Sequence, residues 1–300
     1  MTDFLLSIEG TEAGARLAMI LALTSAFAHA VFGALQKGRY DPWLTRGAID
    51  VWIFILSAPV ALFVVPWPQG FEWAILAGAM VIHFVYKVLM AMAYTRAAYT
   101  VVYPVVRGTA PFVTVLFAWI VFEEAFAPMQ WLGVVCLSGG IMALALVNLT
   151  RVTLDPAALR AGLGIAFLGG LVTALYTVYD AWGIRSTPDP FTFLAWFFFL
   201  TAVDIPFIAL YRYRRMAVKP VIAPLVARGF LGAVIAFISF GSVMMATRLD
   251  AVGEAAVLRE TSTVFAAVIG WLVLREPVGP LRAGLMAAIA AGAVLVELGG

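Results

Sequence analysis

The chemistry of this 300-residue sequence rests on charged side chains stranded inside long apolar runs. Lys87, Arg107, Arg228 and Arg259 are the cations left once polar segments are set aside, and Asp50, Asp180, Asp204, Glu254 and Glu260 are the acids. An ionised group at mid-bilayer costs on the order of 3 kcal/mol even on lenient scales, so each needs a partner or a wet cavity. His83 and Lys87 are four residues apart, which puts both on one helical face flanked by Tyr86 and Tyr94. Tyr103, Pro104 and Arg107 occupy adjacent turns with Pro111 one turn on, and prolines there free backbone carbonyls that can line a wet site. Tyr176, Tyr179 and Asp180 bring hydroxyls and a carboxylate into another run. Glu254, Arg259 and Glu260 crowd the most polar stretch, beside Thr261, Ser262 and Thr263. Arg259 and Glu260 point about 100° apart on a helix, so the expectation is Arg259 toward a cavity and Glu260 toward a neighbouring helix.

Each of these residues also has a plainer role open to it. Lys87 either grips a solute or neutralises a buried carboxylate such as Glu260. Asp50 and Asp204, near helix ends or beside a proline, read as structural hydrogen-bond or salt-bridge groups, and Arg228 can reach the interface by snorkelling. Tyrosines also collect in interfacial belts.

Several chemistries lack their parts. Cys136 is the only cysteine, and there are two histidines, so neither a disulfide framework nor a common zinc site is expected, and no cofactor is called for. Ser25 and His29 have nucleophile-and-base spacing, but no acidic orienter, G-x-S-x-G or H-E-x-x-H accompanies them, so an enzyme is not expected. No G-x-x-x-x-G-K-[ST] occurs. A formal net charge of +2, without a basic stripe, gives no footprint for nucleic acid.

The positioning elements are membrane helices. Hydrophobic residues make up 64% of the chain and charged residues 12%, with a mean hydropathy of +1.01. Runs long enough to cross a bilayer fall at about 15–36, 47–66, 72–95, 98–121, 127–149, 157–183, 191–211, 221–246, 251–273 and 279–298, which predicts ten spans. Ala28-His29-Ala30 resembles a signal-peptidase site, but Asp3, Glu9 and Glu12 precede it and the run continues to Leu35, so the first helix is expected to be retained. Lys37, Arg39, Arg46, Arg96, Arg151, Arg160, Arg212, Arg214, Arg215, Lys219, Arg275 and Arg282 fall in odd-numbered loops, against Arg16, Arg185 and Arg248 on the other side. The positive-inside rule then puts the odd loops in the cytoplasm and both termini outside.

The chain also repeats itself. At a shift of 152, Met92, Thr95, Arg96, Val105, Arg107, Thr109, Trp119, Val121, Glu124 and Pro128 meet identical residue types at Met244, Thr247, Arg248, Val257, Arg259, Thr261, Trp271, Val273, Glu276 and Pro280. Asp41-Pro42 and Asp189-Pro190 extend the echo. Lys87 meets Ser239, an ammonium opposite a hydroxyl, as expected if two sides of a cavity hold different ends of a solute. Two five-helix units, 1–150 and 151–300, follow; five is odd, so the units are inverted about an axis in the membrane plane.

Each unit ends its fourth helix in an acidic turn before a glycine-containing fifth helix: Phe122-Glu123-Glu124 then Gly133 and Gly139-Gly140, and Leu274-Arg275-Glu276-Pro277 then Gly284 and Gly292. In this the sequence resembles the EamA-type branch of the drug/metabolite transporter superfamily. The resemblance implies an all-α membrane protein with ten transmembrane helices in two inverted repeats, moving amino acids, sugars, nucleotide precursors or drugs. It also implies cytoplasmic termini, the opposite of the charge count, and both orientations stay open. From the charges, the expected substrate is an amino acid or small organic acid, held by Lys87, Arg107, Arg259, Tyr103, His83 and Ser239 and carried by alternating access across the inner membrane. Glu260, Glu254 and Asp180 are the coupling or charge-pairing candidates. A proton gradient or exchange would drive transport, with Glu260, Glu254 or His83 as proton carrier. A lipid-linked-sugar flippase or a drug and cation exporter are the alternatives. One chain supplies both halves of a pathway, as a monomer or within a homodimer in the lipid bilayer.

Overall fold

The computed structural model describes residues 2–36, 40–96, 99–149, 156–272 and 279–300. The loop cations Lys37, Arg39, Arg151 and Arg275, the turn at 274–277 with Glu276, and the expected span ends at 98 and 273 lie outside the described residues.

Among the described residues the chain forms thirteen α-helices and no strand. They are α1 (Thr2–Ile8), α2 (Glu12–Gln36), α3 (Pro42–Phe63), α4 (Glu72–Tyr94), α5 (Tyr99–Phe122), α6 (Pro128–Leu149), α7 (Pro156–Ser186), α8 (Pro190–Thr201), α9 (Asp204–Arg215), α10 (Ile222–Leu249), α11 (Val252–Arg259), α12 (Ser262–Leu272) and α13 (Pro280–Leu298). By length and composition, nine stretches among the described residues can cross a membrane, the seventh being α8 and α9 together. The ninth expected span, 251–273, is present as α11 and α12, together about 28 Å long at 1.5 Å per residue. The short α1 was not anticipated by the sequence; Gly10, at φ 69°, turns the chain from it into α2. Large apolar side chains such as Phe63, Ile120 and Phe207 stand exposed on the outer surface, where lipid would cover them.

The Asp-Pro echo turns out to be a pair of helix starts. The Asp41 carboxylate accepts from the Trp43 and Leu44 amides at 2.9 and 3.2 Å, and that of Asp189 accepts from Phe191 and Thr192 at 3.3 and 3.0 Å, each with proline at the first helical position.

Two spans break where polar groups are needed. Between α8 and α9, Pro206 has no amide to offer the preceding turn, and the Ile205 amide turns to its neighbour's carboxylate, Asp204 Oδ1, at 2.6 Å. The Thr201 carbonyl is thereby released and accepts from Lys87 Nζ. Between α11 and α12 the chain tightens into i to i+3 bonds, Glu260 N to Val257 O and Thr261 N to Leu258 O, while the Thr261 and Thr263 hydroxyls bond back to Leu258 O and Glu260 O.

Packing follows the repeat. If α2 is matched with α7, α3 with α8 and α9, α4 with α10, α5 with α11 and α12, and α6 with α13, the main pairings interchange. The α2–α10 contact exchanges with α7–α4, α5–α7 with α11 and α12 on α2, and α3–α10 with α8–α4; α6–α13, α3–α9 and α5–α11 join the two halves directly. At the α6–α13 crossing the backbones approach closely from both sides: a Cβ on Gly292 would lie 2.6 Å from the Gly133 carbonyl oxygen, and one on Gly133 2.5 Å from that of Gly292. Gly139 and Gly284 have open space beside them and take no part.

Because spans alternate in direction, the start of α2 and the ends of α3, α5, α7, α10 and α13 share one side, the terminal side. The other side carries the basic loops. An aromatic core of Phe193, Trp196, Phe197, Phe198 and Phe240 lies between α8, α10, α3 and α4, and an aliphatic one of Val115, Leu137, Ile141, Leu249 and Ile289 lies under the α6–α13 crossing.

Candidate functional site

Three helix segments bring charge to the middle of the bundle. On α5, Arg107 is buried and donates to Glu260 Oε1 at 2.8 Å and to His29 Nε2 on α2. Since Nε2 must accept from a guanidinium, the His29 proton sits on Nδ1, which donates to Ser239 Oγ at 3.3 Å; that hydroxyl donates in turn to Ser25 O at 3.2 Å. The Ser25 hydroxyl donates to Ser239 O at 2.6 Å. Ser25 is therefore turned away from His29, and the nucleophile-and-base pairing does not form. The His29 ring lies nearly parallel to Tyr103, 18° apart, and the Arg107 guanidinium stands 5.4 Å from the Tyr103 ring centre.

A second group surrounds Lys87 on α4. Its ammonium is 3.0 Å from both Asp50 Oδ2 on α3 and Asp204 Oδ1 on α9, besides Thr201 O. Asp50 is also held by Arg46, 2.9 Å from its Oδ1. One turn back, His83 Nε2 donates to Asp180 Oδ2 on α7 at 2.8 Å, with the His83 ring packed on Tyr176 at 4.6 Å.

These contacts correct several expectations. Lys87 does not pair with Glu260; Asp50 and Asp204 take it, because the α8–α9 break presents Asp204 at that depth, and Arg107 takes Glu260 instead. Glu260, just past the end of α11, meets Arg107 on the neighbouring α5. Glu254 stays out of the cluster: six residues before Glu260, about 9 Å along the axis, it accepts from Gln130 Nε2 at 2.7 Å near the terminal side. Ser239 fixes the His29 ring and lines none of the cavities described below. Arg107 and Arg259 do not share an environment as a symmetric pair would. Arg259 lies over the Phe240 ring at 4.7 Å, and its Nε and Nη2 have no hydrogen-bond acceptor among the described residues. Arg228 is exposed beside Tyr40, in keeping with snorkelling.

A cavity of about 60 Å³ opens beside these groups toward the basic side, lined by His29, Arg46, Tyr86, Lys87, Tyr103 and Arg107 among others. An adjoining space of about 20 Å³ continues past Asp50, His83 and Thr201. The lining of the larger cavity holds three cations and no carboxylate; of the acids that pair with those cations, Asp50 lines the adjoining space and Asp204 and Glu260 line neither. Sequence reasoning missed two residues here. His29 was read as a false cleavage site, although an imidazole deep in an apolar run was itself the signal. Arg46 was counted as a loop cation, and only Asp50 four residues on marked it as buried.

The terminal side is closed by ionic and backbone contacts. Arg248 Nε donates to Glu9 Oε2 at 3.1 Å and its Nη1 to the Ile184 and Thr187 carbonyls. Arg185 donates to the Thr247 and Asp250 carbonyls and lies 3.7 Å from Glu124. Glu124 caps α11, accepting from the Val252 and Gly253 amides at 2.8 and 3.0 Å.

Against known proteins, residues 160–298 match the EamA-like transporter family. A protein of known crystal structure, 18% identical in sequence, superposes with a TM-score of 0.78 over 94% of this chain and 99% of its own, a likeness of fold. No curated protein matches the chain.

Proposed function

From the match of residues 160–298 to the EamA-like transporter family, we propose that the chain is a membrane transporter, a secondary active carrier for a small carboxylate-bearing metabolite, an amino acid or small organic acid. It works in the inner membrane by alternating access between two units, 1–150 and 151–300, and the interchangeable helix pairings support that division. The observation that carries the substrate class is the cavity lining: Arg46, Lys87 and Arg107 line the larger space and no carboxylate does, while Asp50 lines the smaller one beside it. Such a wall attracts a carboxylate and repels a cationic drug. Tyr103 and His29 offer stacking and hydrogen-bonding surfaces for the rest of the solute. The excess of Lys and Arg supports a cytoplasmic position for the basic side, and so for the open cavity.

Glu260 is the proposed coupling group. It shares Arg107 with the cavity, so a proton taken up at Glu260 would free the guanidinium for substrate. The test is uptake of labelled amino acids, organic acids, sugars and cations into proteoliposomes under an imposed proton gradient, repeated with Arg107→Gln and Glu260→Gln. Saturable uptake of a carboxylate solute, abolished in Arg107→Gln and indifferent to the gradient in Glu260→Gln, is the expected result. Uptake confined to cations or neutral sugars would overturn the substrate class, and unchanged gradient dependence in Glu260→Gln would remove Glu260 from coupling.

A further inference from the structure

A second, smaller cavity of about 10 Å³ lies on the other side of Phe240, lined by Tyr176, Thr177, Asp180, Val243, Thr247 and Arg259 among others. It is the repeat image of the open one. The shift of 152 carries Ala91 to Val243 and Arg107 to Arg259, and the shift of the Asp-Pro helix starts, 189 − 41 = 148, carries His29 to Thr177 and Phe32 to Asp180. All four first-named residues line the open cavity and all four images line the small one. The open cavity runs from mid-bundle to the basic side along the later turns of α2 and α4; its image runs to the terminal side along the later turns of α7 and α10, ending beneath Arg185 and Arg248.

The small cavity also gathers buried polar atoms that nothing satisfies. Arg259 Nε and Nη2, the Tyr176 hydroxyl and Asp180 Oδ1 all lack hydrogen-bond partners among the described residues, and each of these residues is at least 97% buried. Buried groups of this kind normally carry a partner. A donor set of guanidinium and phenol opposite a free carboxylate oxygen matches the carboxylate and the ammonium of a zwitterion.

We infer that this collapsed cavity is a second substrate subsite, opened when the terminal side opens, in which Arg259 and Tyr176 receive the carboxylate and Asp180 the ammonium of an amino acid. Building on the carrier reading above, it narrows the substrate from carboxylates in general to zwitterionic amino acids.

The cavity can be tested without knowing the solute. In a Cys136→Ala background, Thr177→Cys is reacted from the terminal side with a negatively charged methanethiosulfonate, bearing a sulfonate, and with its positively charged trimethylammonium analogue. The expected result is reaction about tenfold faster with the sulfonate reagent, a preference kept in Arg259→Lys and lost in Arg259→Gln. Equal rates for the two reagents, no reaction with either, or a preference that survives Arg259→Gln would overturn the subsite. Protection of Thr177→Cys by alanine, leucine and phenylalanine, compared with the corresponding acids lacking the amino group, tests the zwitterion. Protection by at least one amino acid, lost in Asp180→Asn, supports it; equal protection by the deaminated acids, or none by any amino acid, overturns it. Charge-selective labelling alongside uptake of sugars alone in proteoliposomes would keep the cavity and sink the carrier's substrate class.

Discussion

Arg107 and Arg259 occupy corresponding positions of the repeat, yet Arg107 is tied to Glu260 at 2.8 Å and Arg259 rests against Phe240 with two nitrogens unpaired among the described residues. The asymmetry has a local cause. Gly108 and Glu260 occupy the same position of the repeat, each directly after its arginine, so only the second half carries a carboxylate there, and it reaches across to the first half's arginine. The one carboxylate at this level pairs with Arg107 and not with Arg259.

Breaking that pair in this state leaves a charge buried alone. Arg107→Ala should destabilise the protein by about 3–5 kcal/mol, against a smaller loss for the double variant Arg107→Ala with Glu260→Ala than the two single losses would sum to. Chemical denaturation in mild detergent, followed by tryptophan fluorescence, reads both. Strict additivity would mean that the contact carries no coupling energy.

The Lys87 cluster predicts an order. Lys87→Ala leaves Asp50 and Asp204 facing each other with Arg46 alone to balance them, so it should lower the melting temperature most. Asp50→Asn, which strips a fully buried carboxylate from both cations, should come next, and Asp204→Asn least, because its side chain is 16% exposed. A melting series in which Asp204→Asn is the worst of the three would contradict the arrangement.

At the terminal side, Glu124→Ala removes the cap of α11, an interaction of about 1 kcal/mol, together with a partly exposed ionic contact that adds little. Hydrogen exchange at the first-turn amides of α11 should quicken several-fold, while exchange in α4 stays as it was. Unchanged exchange at Val252 and Gly253 would show that the carboxylate does not hold them.

The α6–α13 crossing separates two kinds of glycine. Gly292→Val would drive a side chain into the Gly133 carbonyl and into Leu137, and should prevent a folded, monodisperse protein in detergent. Gly139→Ala, with nothing within 4 Å of the new methyl, should be silent. Size-exclusion profiles of the two variants decide the matter.

Much of this was legible in the chain. Apolar length gave the spans to within a few residues, since lipid demands continuous helix, and the aligned polar identities showed Arg107 and Arg259 as counterparts. The partners were not legible. Lys87 chose Asp204 because Pro206 breaks a span and moves that carboxylate inward, an outcome of three-dimensional helix geometry that spacing along one helix does not encode. The place of His29 in the cluster is hidden for a related reason: it comes from Arg107 and Ser239, which lie 78 and 210 residues away. The displaced Glu254 shows the reverse error, in which crowding along the sequence was taken for crowding in space.

Phe240 belongs to the walls of both the open cavity and its collapsed image. A single benzene ring is thus a wall common to two separate spaces. Under the carrier proposed above, cutting it back to alanine should join them and let solute run down its gradient, read as uncoupled efflux from loaded proteoliposomes.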